Sequence, residues 1–368
     1  MFQFVQFALN ELDAFAAGGK RGGRKLEGDP DGCLDPWMTR RQFVVAAVPA
    51  VACVAAPGMR SADSTAAGTL RGSFALDGTR VRIFTPAVRE PVRLLMVADT
   101  HLFRDDERGA PFIGFSGRMA RAYNQTRHFA TGEPTTPEAS FAAALQRAEE
   151  WRPGLLALVG DIVSFPSEAA VEWVLRNLAS TGLAYQYTAG NHDWHYEGMA
   201  GSSAELRAYW SRERLAPLHQ GRDPLMSVRE VGGVRVVMLD NSDYEILPEQ
   251  LEFFRTEVRT GKPMLLMVHI PLYAPGRSLG FGCGHPEWGG ATDRNFALER
   301  RERWRATGHT EVTRAFHREV FGAANLLGVF AGHVHRPSLD LVNGIPQVVT
   351  EANAVGAWLE IEVLPVEQ

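Results

Sequence analysis

Five short blocks recur down this chain in a fixed order and carry oxygen and nitrogen donors that could bind a metal: Asp99-Thr100-His101, Gly160-Asp161, Gly190-Asn191-His192-Asp193, Val268-His269 and Gly332-His333-Val334-His335. They offer carboxylate, imidazole and one amide oxygen and no thiolate. That donor set suits Mn, Fe, Zn or related divalent ions better than a soft metal or a structural zinc. Five of the 11 histidines fall inside the blocks, where caps, surface and core would scatter them. Ions held this way acidify water and neutralise charge building on oxygen, which is hydrolytic chemistry.

Each block follows directly on an apolar, strand-like run, at residues 94–98, 155–159, 184–188, 264–268 and 327–331. Every run is long enough to cross a buried sheet once. The donors therefore gather at the carboxyl ends of strands, where open α/β sheets place their sites. Thr136-Pro137-Glu138 starts a helix that puts Phe141, Leu145, Ala148 and Trp151 on one face. Ser167 opens a second, with Val171, Val174, Leu175 and Leu178 inward and Gly182 at its end. A third begins at about Glu249, turns Leu251, Phe254 and Val258 inward and closes at Gly261. These helices are crossovers, so the sheet is at least partly parallel. Residues 234–239, 347–350 and 358–363 supply further strands.

In order and spacing the five blocks resemble the calcineurin-like metallophosphoesterase superfamily, whose pattern is D-x-H, G-D, G-N-H-D/E, a lone histidine and G-H-x-H. The resemblance covers roughly residues 90–365. It implies an α/β fold, a four-layer α/β/β/α sandwich of two mixed sheets, as a single domain over residues 70–368. It also implies two divalent metal ions, one on Asp99, His101, Asp161 and His335, the other on Asp161, Asn191, His269 and His333. Asp161 bridges, since a carboxylate presents charged oxygens to two cations spaced about 3.5 to 4 Å apart. A bridging water then attacks phosphorus in line, hydrolysing a phosphoric ester. His192, next to the ligand Asn191, is left to protonate the leaving group or stabilise the phosphoryl group. Asp193 is expected to fix the turn or orient a histidine. Trp194 and His195 either line the substrate cleft or pack, and Arg336 meets a phosphate or a surface carboxylate.

Two departures narrow the reading. Purple acid phosphatases carry an iron-binding tyrosine three residues after the Gly-Asp aspartate, and this chain has Ser164 there. Protein Ser/Thr phosphatases of the superfamily continue Gly-Asp into Tyr-Val-Asp-Arg-Gly, whereas Asp161 is followed by Ile162-Val163-Ser164-Phe165. The chain thus looks closer to bacterial phosphodiesterase-like and broad phosphatase members, with a small phosphate ester as substrate. A catalytically silent binding protein on the same fold is the alternative, but such members have typically lost ligands and none is missing here. A metal-dependent nuclease would want a basic groove, and the formal charge is -5, with no nucleic-acid footprint evident.

Two segments exceed what the crossovers need: residues 102–135, polar and Arg-containing, and residues 271–309, Gly-rich with Cys283, His285 and Trp288. Both leave from the donor edge and are expected to wall the site and choose the substrate. Arg118, Arg121, Arg127 and His128 read as a solvated face. Cys283 receives no role.

The amino-terminal region carries a separate signal. Thr39-Arg40-Arg41-Gln42-Phe43-Val44-Val45 precedes an uncharged Ala/Val-rich stretch and resembles a twin-arginine export signal over residues 38–60. Its expected partner is the twin-arginine export machinery, and the expected location is periplasmic or extracellular. Pro49 in so short an apolar run argues against a stable membrane span. A lipid-anchored amino terminus at Cys53 is the alternative. Residues 1–37 read as a mis-called or disordered extension ahead of Met38.

Overall fold

In the computed structural model, which describes residues 70, 72–123, 125–288 and 308–366, the long strands pair into two six-stranded sheets. Strands are numbered in chain order. The first sheet joins β1 (Phe74–Asp77), β2 (Arg80–Thr85), β14 (Leu359–Pro365), β3 (Val92–Val97), β6 (Leu155–Val159) and β7 (Tyr185–Thr188), in that spatial order. The second joins β12 (Ser338–Val342), β13 (Ile345–Val349), β11 (Leu326–Ala331), β10 (Met264–Val268), β9 (Val234–Leu239) and β8 (Met226–Val231). A separate ribbon pairs β4 (Thr126–Arg127) with β5 (Pro134–Thr135). In the first sheet β3, β6 and β7 run parallel, and in the second β9, β10, β11 and β13 do. The antiparallel pairs β1/β2, β14/β3, β12/β13 and β8/β9 make both sheets mixed.

Alternation along the central strands builds three apolar layers. Leu94 and Met96 of β3 face Val236, Met238, Leu265 and Met267 between the sheets. Leu95 and Val97 turn the other way, into a core shared with the helices Pro137–Trp151 and Glu168–Thr181. On the far side Leu266 and Val268 pack with the helices Pro248–Arg259 and Glu311–Val320, whose Phe254 and Phe316 rings meet edge-on at 5.2 Å. Helix, sheet, sheet and helix follow one another, giving four layers. Because β6, β10 and β11 are covered on both faces, every one of their residues is buried, which is why they read as continuous apolar runs.

Local chemistry sets the helix ends. Thr136 Oγ1 accepts the Ala139 N–H at 3.2 Å ahead of Pro137, and Ser167 Oγ accepts the Ala170 N–H at 3.3 Å. Gly182 closes the second helix at φ 64°, a left-handed turn that costs glycine little. The third begins at Pro248, where the Gln250 side chain accepts the Leu247 N–H and donates to the Leu225 and Asp240 carbonyls, tying the helix to the end of β9.

Several elements lack a clear signal in the sequence. β2 alternates with Arg80 and Arg82, whose charges meet Glu360 and Glu362 on β14 across the sheet. Residues 102–135 contain a 3-10 helix at Glu107–Phe112, an α-helix at Ile113–Met119 and the β4/β5 ribbon. The described residues form one compact unit. The expected extension, the export signal and residues 289–307 of the second insertion lie outside the described residues. Among the described residues no helix is long and apolar enough to cross a membrane.

Candidate metal centre

Both sheets deliver donors to one edge. Asp99 and His101 follow β3, Asp161 follows β6, Asn191 follows β7, His269 follows β10, and His333 and His335 follow β11. The strand-end loops bond to one another: the Asp99 N–H donates to the Gly160 carbonyl (3.0 Å), the His101 N–H to Asp161 (2.9 Å) and the Gly332 N–H to His269 (3.0 Å). Asp99, His101, Asp161, His333 and His335 have φ of 57°, 53°, 52°, 71° and 52°, a left-handed conformation uncommon outside glycine. Such conformations persist only where their surroundings hold them, and they cluster at functional sites.

The glycines of the blocks have a steric reason. A Cβ at Gly190 would overlap Asp161 Oδ1, one at Gly332 would overlap Asp99 Oδ2, and one at Gly160 would overlap His269 Nδ1. Each glycine makes room for a donor from another loop.

Asp99, His101, Asp161 and His335 bring one donor atom apiece within 4.8 Å of one another, and so do Asp161, His269 and His333; Asp161 belongs to both groups. His335 Nε2 lies 3.2 Å from Asp99 Oδ1 and 3.0 Å from His101 Nε2. His101 Nε2 lies 3.8 Å from Asp161 Oδ2, and His269 Nε2 lies 3.2 Å from the same oxygen. His269 Nδ1–H donates to the Val159 carbonyl at 3.0 Å, so Nε2 is the nitrogen turned toward Asp161. The His192 N–H donates to Asp161 Oδ1 at 2.8 Å, which sets the Asn191 turn against the shared carboxylate.

The residues fit two divalent ions. The Asn191 side-chain oxygen is buried without a hydrogen-bond partner, a costly state for an amide oxygen that a bound cation would relieve. Burial works against charge on Asp161, yet His269, His192 and His101 outweigh it and hold the carboxyl well below its usual range. Burial likewise opposes a proton on His269, but the Asp161 and Asp99 carboxylates push it up to about 10. His335 is raised against burial by Asp99 and Asp161, while His101 is lowered well below its usual value, first by burial. Protons on imidazole thus supply the positive charge this acidic pocket demands when no ion does.

Asp193 is buried among backbone donors. Its Oδ2 accepts from the Asp161 N–H (2.9 Å) and the Gly190 N–H (2.7 Å), and its Oδ1 from the Val163 N–H (2.8 Å). It stitches the loop after β6 to the loop after β7. Burial and the Asp161 charge push its pKa up to about 7. His192 belongs to neither donor group; its ring meets His101 edge-on at 4.9 Å and is partly exposed.

The candidate cleft residues separate. Trp194 is fully buried and its indole N–H donates to Ser242 Oγ at 2.7 Å, so it packs behind the site instead of lining a cleft. His195 is also buried, its ring 6.0 Å from that of Trp194. Arg336 is exposed beside His335. Two tyrosines missing from the sequence reading stand at the site. Tyr123, from the first insertion, lies flat on His101 at 4.2 Å with its hydroxyl 3.3 Å from His335 Nδ1. Tyr244, in the loop after β9, has its hydroxyl 2.9 Å from His333 Nε2. Its place at a strand's carboxyl end was the available signal, but no recognised block surrounds it. In the described part of the second insertion Cys283 is buried, its sulfur accepting from Asn241 Nδ2 at 3.4 Å, and buried Trp288 stacks on Tyr244 at 4.8 Å.

A profile of the calcineurin-like phosphoesterase family matches residues 92–337, about two thirds of the chain. The chain belongs to the calcineurin-like phosphoesterases. No curated protein matches it by sequence. Among solved structures it is similar to a dimetal phosphatase from Danio rerio, at 12% identity over 72% of this chain and 88% of that one, with a TM-score of 0.44. It is also similar to a purple acid phosphatase from yellow lupin seeds, at 12% identity, 75% and 46% coverage and a TM-score of 0.42. A phosphopantetheinyl hydrolase from Mycobacterium tuberculosis follows at 13% identity, 74% and 92% coverage and a TM-score of 0.35. These are likenesses of fold and carry no inference about substrate. Family membership and the two His/Asp groups make this phosphoesterase a hydrolase of phosphoric esters.

Proposed function

We propose that this phosphoesterase hydrolyses small phosphate esters with two divalent ions, as a phosphodiesterase or broad phosphatase acting outside the cytoplasm. The observation that carries the reading is Asp161, one buried carboxylate common to both donor groups. Asp99, His101, Asp161 and His335 would hold one ion; Asp161, Asn191, His269 and His333 would hold the other. When bound, such ions supply charge neutralisation at phosphoryl oxygens and a water acid enough to ionise near neutral pH. The nitrogen and oxygen donors suit Mn, Fe or Zn.

The chain's own groups do the rest. His192 stands beside the donor cluster, partly exposed and outside both groups, placed to give a proton to the leaving oxygen or to bond a phosphoryl oxygen. Asp193 holds the Asn191 turn and the Asp161 loop in register through three backbone bonds, so the donors keep their positions as charge moves. A silent binding role fits less well, because all seven donors and His192 are present.

The test is metal content together with a panel of phosphomonoesters and phosphodiesters. Turnover of small esters that depends on added divalent ion supports the reading; a metal-replete protein with no turnover on any of them would favour a binding role. Location outside the cytoplasm is supported by the Arg40-Arg41 pattern and its apolar stretch. Replacing both arginines by lysine should trap the precursor inside; unchanged export would reject that part.

A further inference from the structure

The two histidines of the Gly-His-Val-His block present different nitrogens to the centre, and a tyrosine stands on the outer nitrogen of each. His335 turns Nε2 toward Asp99 (3.2 Å) and has the Tyr123 hydroxyl 3.3 Å from Nδ1. His333 is the reverse: the Tyr244 hydroxyl lies 2.9 Å from Nε2, which leaves Nδ1 as the atom to offer an ion. A neutral imidazole that gives one nitrogen to a metal carries its proton on the other, so each outer N–H donates to a tyrosine oxygen.

Resting on the dinuclear reading above, we propose that Tyr123 and Tyr244 are positioning residues, each fixing the tautomer and ring angle of one histidine and thereby tuning one ion site independently of the other. Tyr123 does so for the Asp99/His101/Asp161/His335 site. It also closes that site by stacking on His101, with ring centroids 4.2 Å apart and planes 9° apart. Tyr244 serves the Asp161/His269/His333 site. It is itself fixed by Trp288, which stacks on it at 4.8 Å, and Trp288 stacks in turn on His309 at 4.7 Å. His309 Nδ1 lies 2.8 Å from Glu245 Oε1. Each insertion therefore reaches one half of the centre through one tyrosine: 102–135 supplies Tyr123 directly, and 271–309 supplies the indole that backs Tyr244. Outer partners of metal-bound histidines typically change metal affinity by about 10- to 100-fold when removed.

The experiment is stepwise Mn²⁺ titration of the full chain by calorimetry, with Tyr123→Phe and Tyr244→Phe. Phenylalanine keeps both ring stacks and removes only the oxygen, and circular dichroism checks that the fold is kept. His335→Ala and His333→Ala identify which binding step belongs to which site. We expect Tyr123→Phe to weaken, by about 10- to 100-fold, the step that His335→Ala abolishes and to leave the other step unchanged. Tyr244→Phe should do the same to the step that His333→Ala abolishes. Unchanged affinities, or both steps falling together in either variant, would overturn the assignment while leaving two ions in place. A wild-type chain that takes up fewer than two ions would sink the dinuclear reading and this inference with it.

Discussion

His101 Nε2 and His335 Nε2 face each other at 3.0 Å although they come from loops on different sheets, after β3 and after β11. Two imidazoles this close are neighbouring ligands of a common ion or a pair sharing a proton. Without an ion the proton belongs to His335, which Asp99 favours at 3.2 Å, while burial keeps His101 neutral. Ion and proton therefore compete for the same nitrogens, and the competition is measurable.

Ion binding must displace the protons on His269, pushed up to about 10, and on His335, also raised. Ion affinity should thus rise from pH 6.5 toward 10, with protons released on binding. In the ion-free protein the sign is opposite. A raised histidine stabilises the fold fully below its unfolded value of about 6.5, and that contribution is lost as pH rises through about 10. Asp161, with its pKa depressed, contributes above about 4 and loses its contribution in acid. Calorimetry in buffers of different ionisation enthalpy counts the protons. Ion binding with no proton release at pH 7 would contradict the electrostatic picture.

Gly332→Ala tests the steric account of the motif. The new Cβ overlaps Asp99 Oδ2 and its neighbour Ala98, so Asp99 must move or the loop must shift. We expect destabilisation of about 1–3 kcal/mol and loss of the ion on the Asp99 side, read by thermal melting and metal analysis. Wild-type metal content in this variant would show that the glycine is not needed for donor placement.

His192→Ala should keep the metals and lower kcat by roughly 10² to 10⁴, the range of a positioned acid or base. His192 gives its backbone N–H, not its ring, to Asp161, so alanine leaves that support intact. Equal loss of metal and of turnover would make His192 a ligand.

The central strands and their donors were readable because a strand buried on both faces is a continuous apolar run and a donor block follows it directly, as at Leu155–Val159 before Asp161. The same alternation could not say that β3 and β10 belong to different sheets, since Leu94 and Leu265 meet only through long-range packing. Charged edge strands such as β2 were hidden because Arg80 and Arg82 are neutralised by a partner 280 positions away. Tyr123 and Tyr244 escaped for a related reason: a tyrosine in a polar loop has no periodicity, and its role exists only once His335 and His333 are beside it. Trp194 was ambiguous by position and is resolved by its bond to Ser242.

The second insertion, expected to act as a substrate wall, holds a buried indole in its described part. Trp288→Ala should cost about 3–5 kcal/mol in denaturant unfolding, since it empties a site packed between Tyr244 and His309. Trp288→Phe should recover much of that. A cost under about 1 kcal/mol for the alanine variant would return the segment to a purely peripheral role.

The measurement that bears most directly on the whole account is metal stoichiometry with phosphoesterase activity in wild type and Asp161→Asn. Among the described residues Asp161 alone belongs to both donor groups, and it receives the His192 N–H as well, so its charge underlies both sites. We expect about two divalent ions per wild-type chain with ion-dependent ester hydrolysis, and in Asp161→Asn the loss of both ions together with the activity. A wild-type chain that binds a single ion, or an Asp161→Asn variant with full activity, would contradict it.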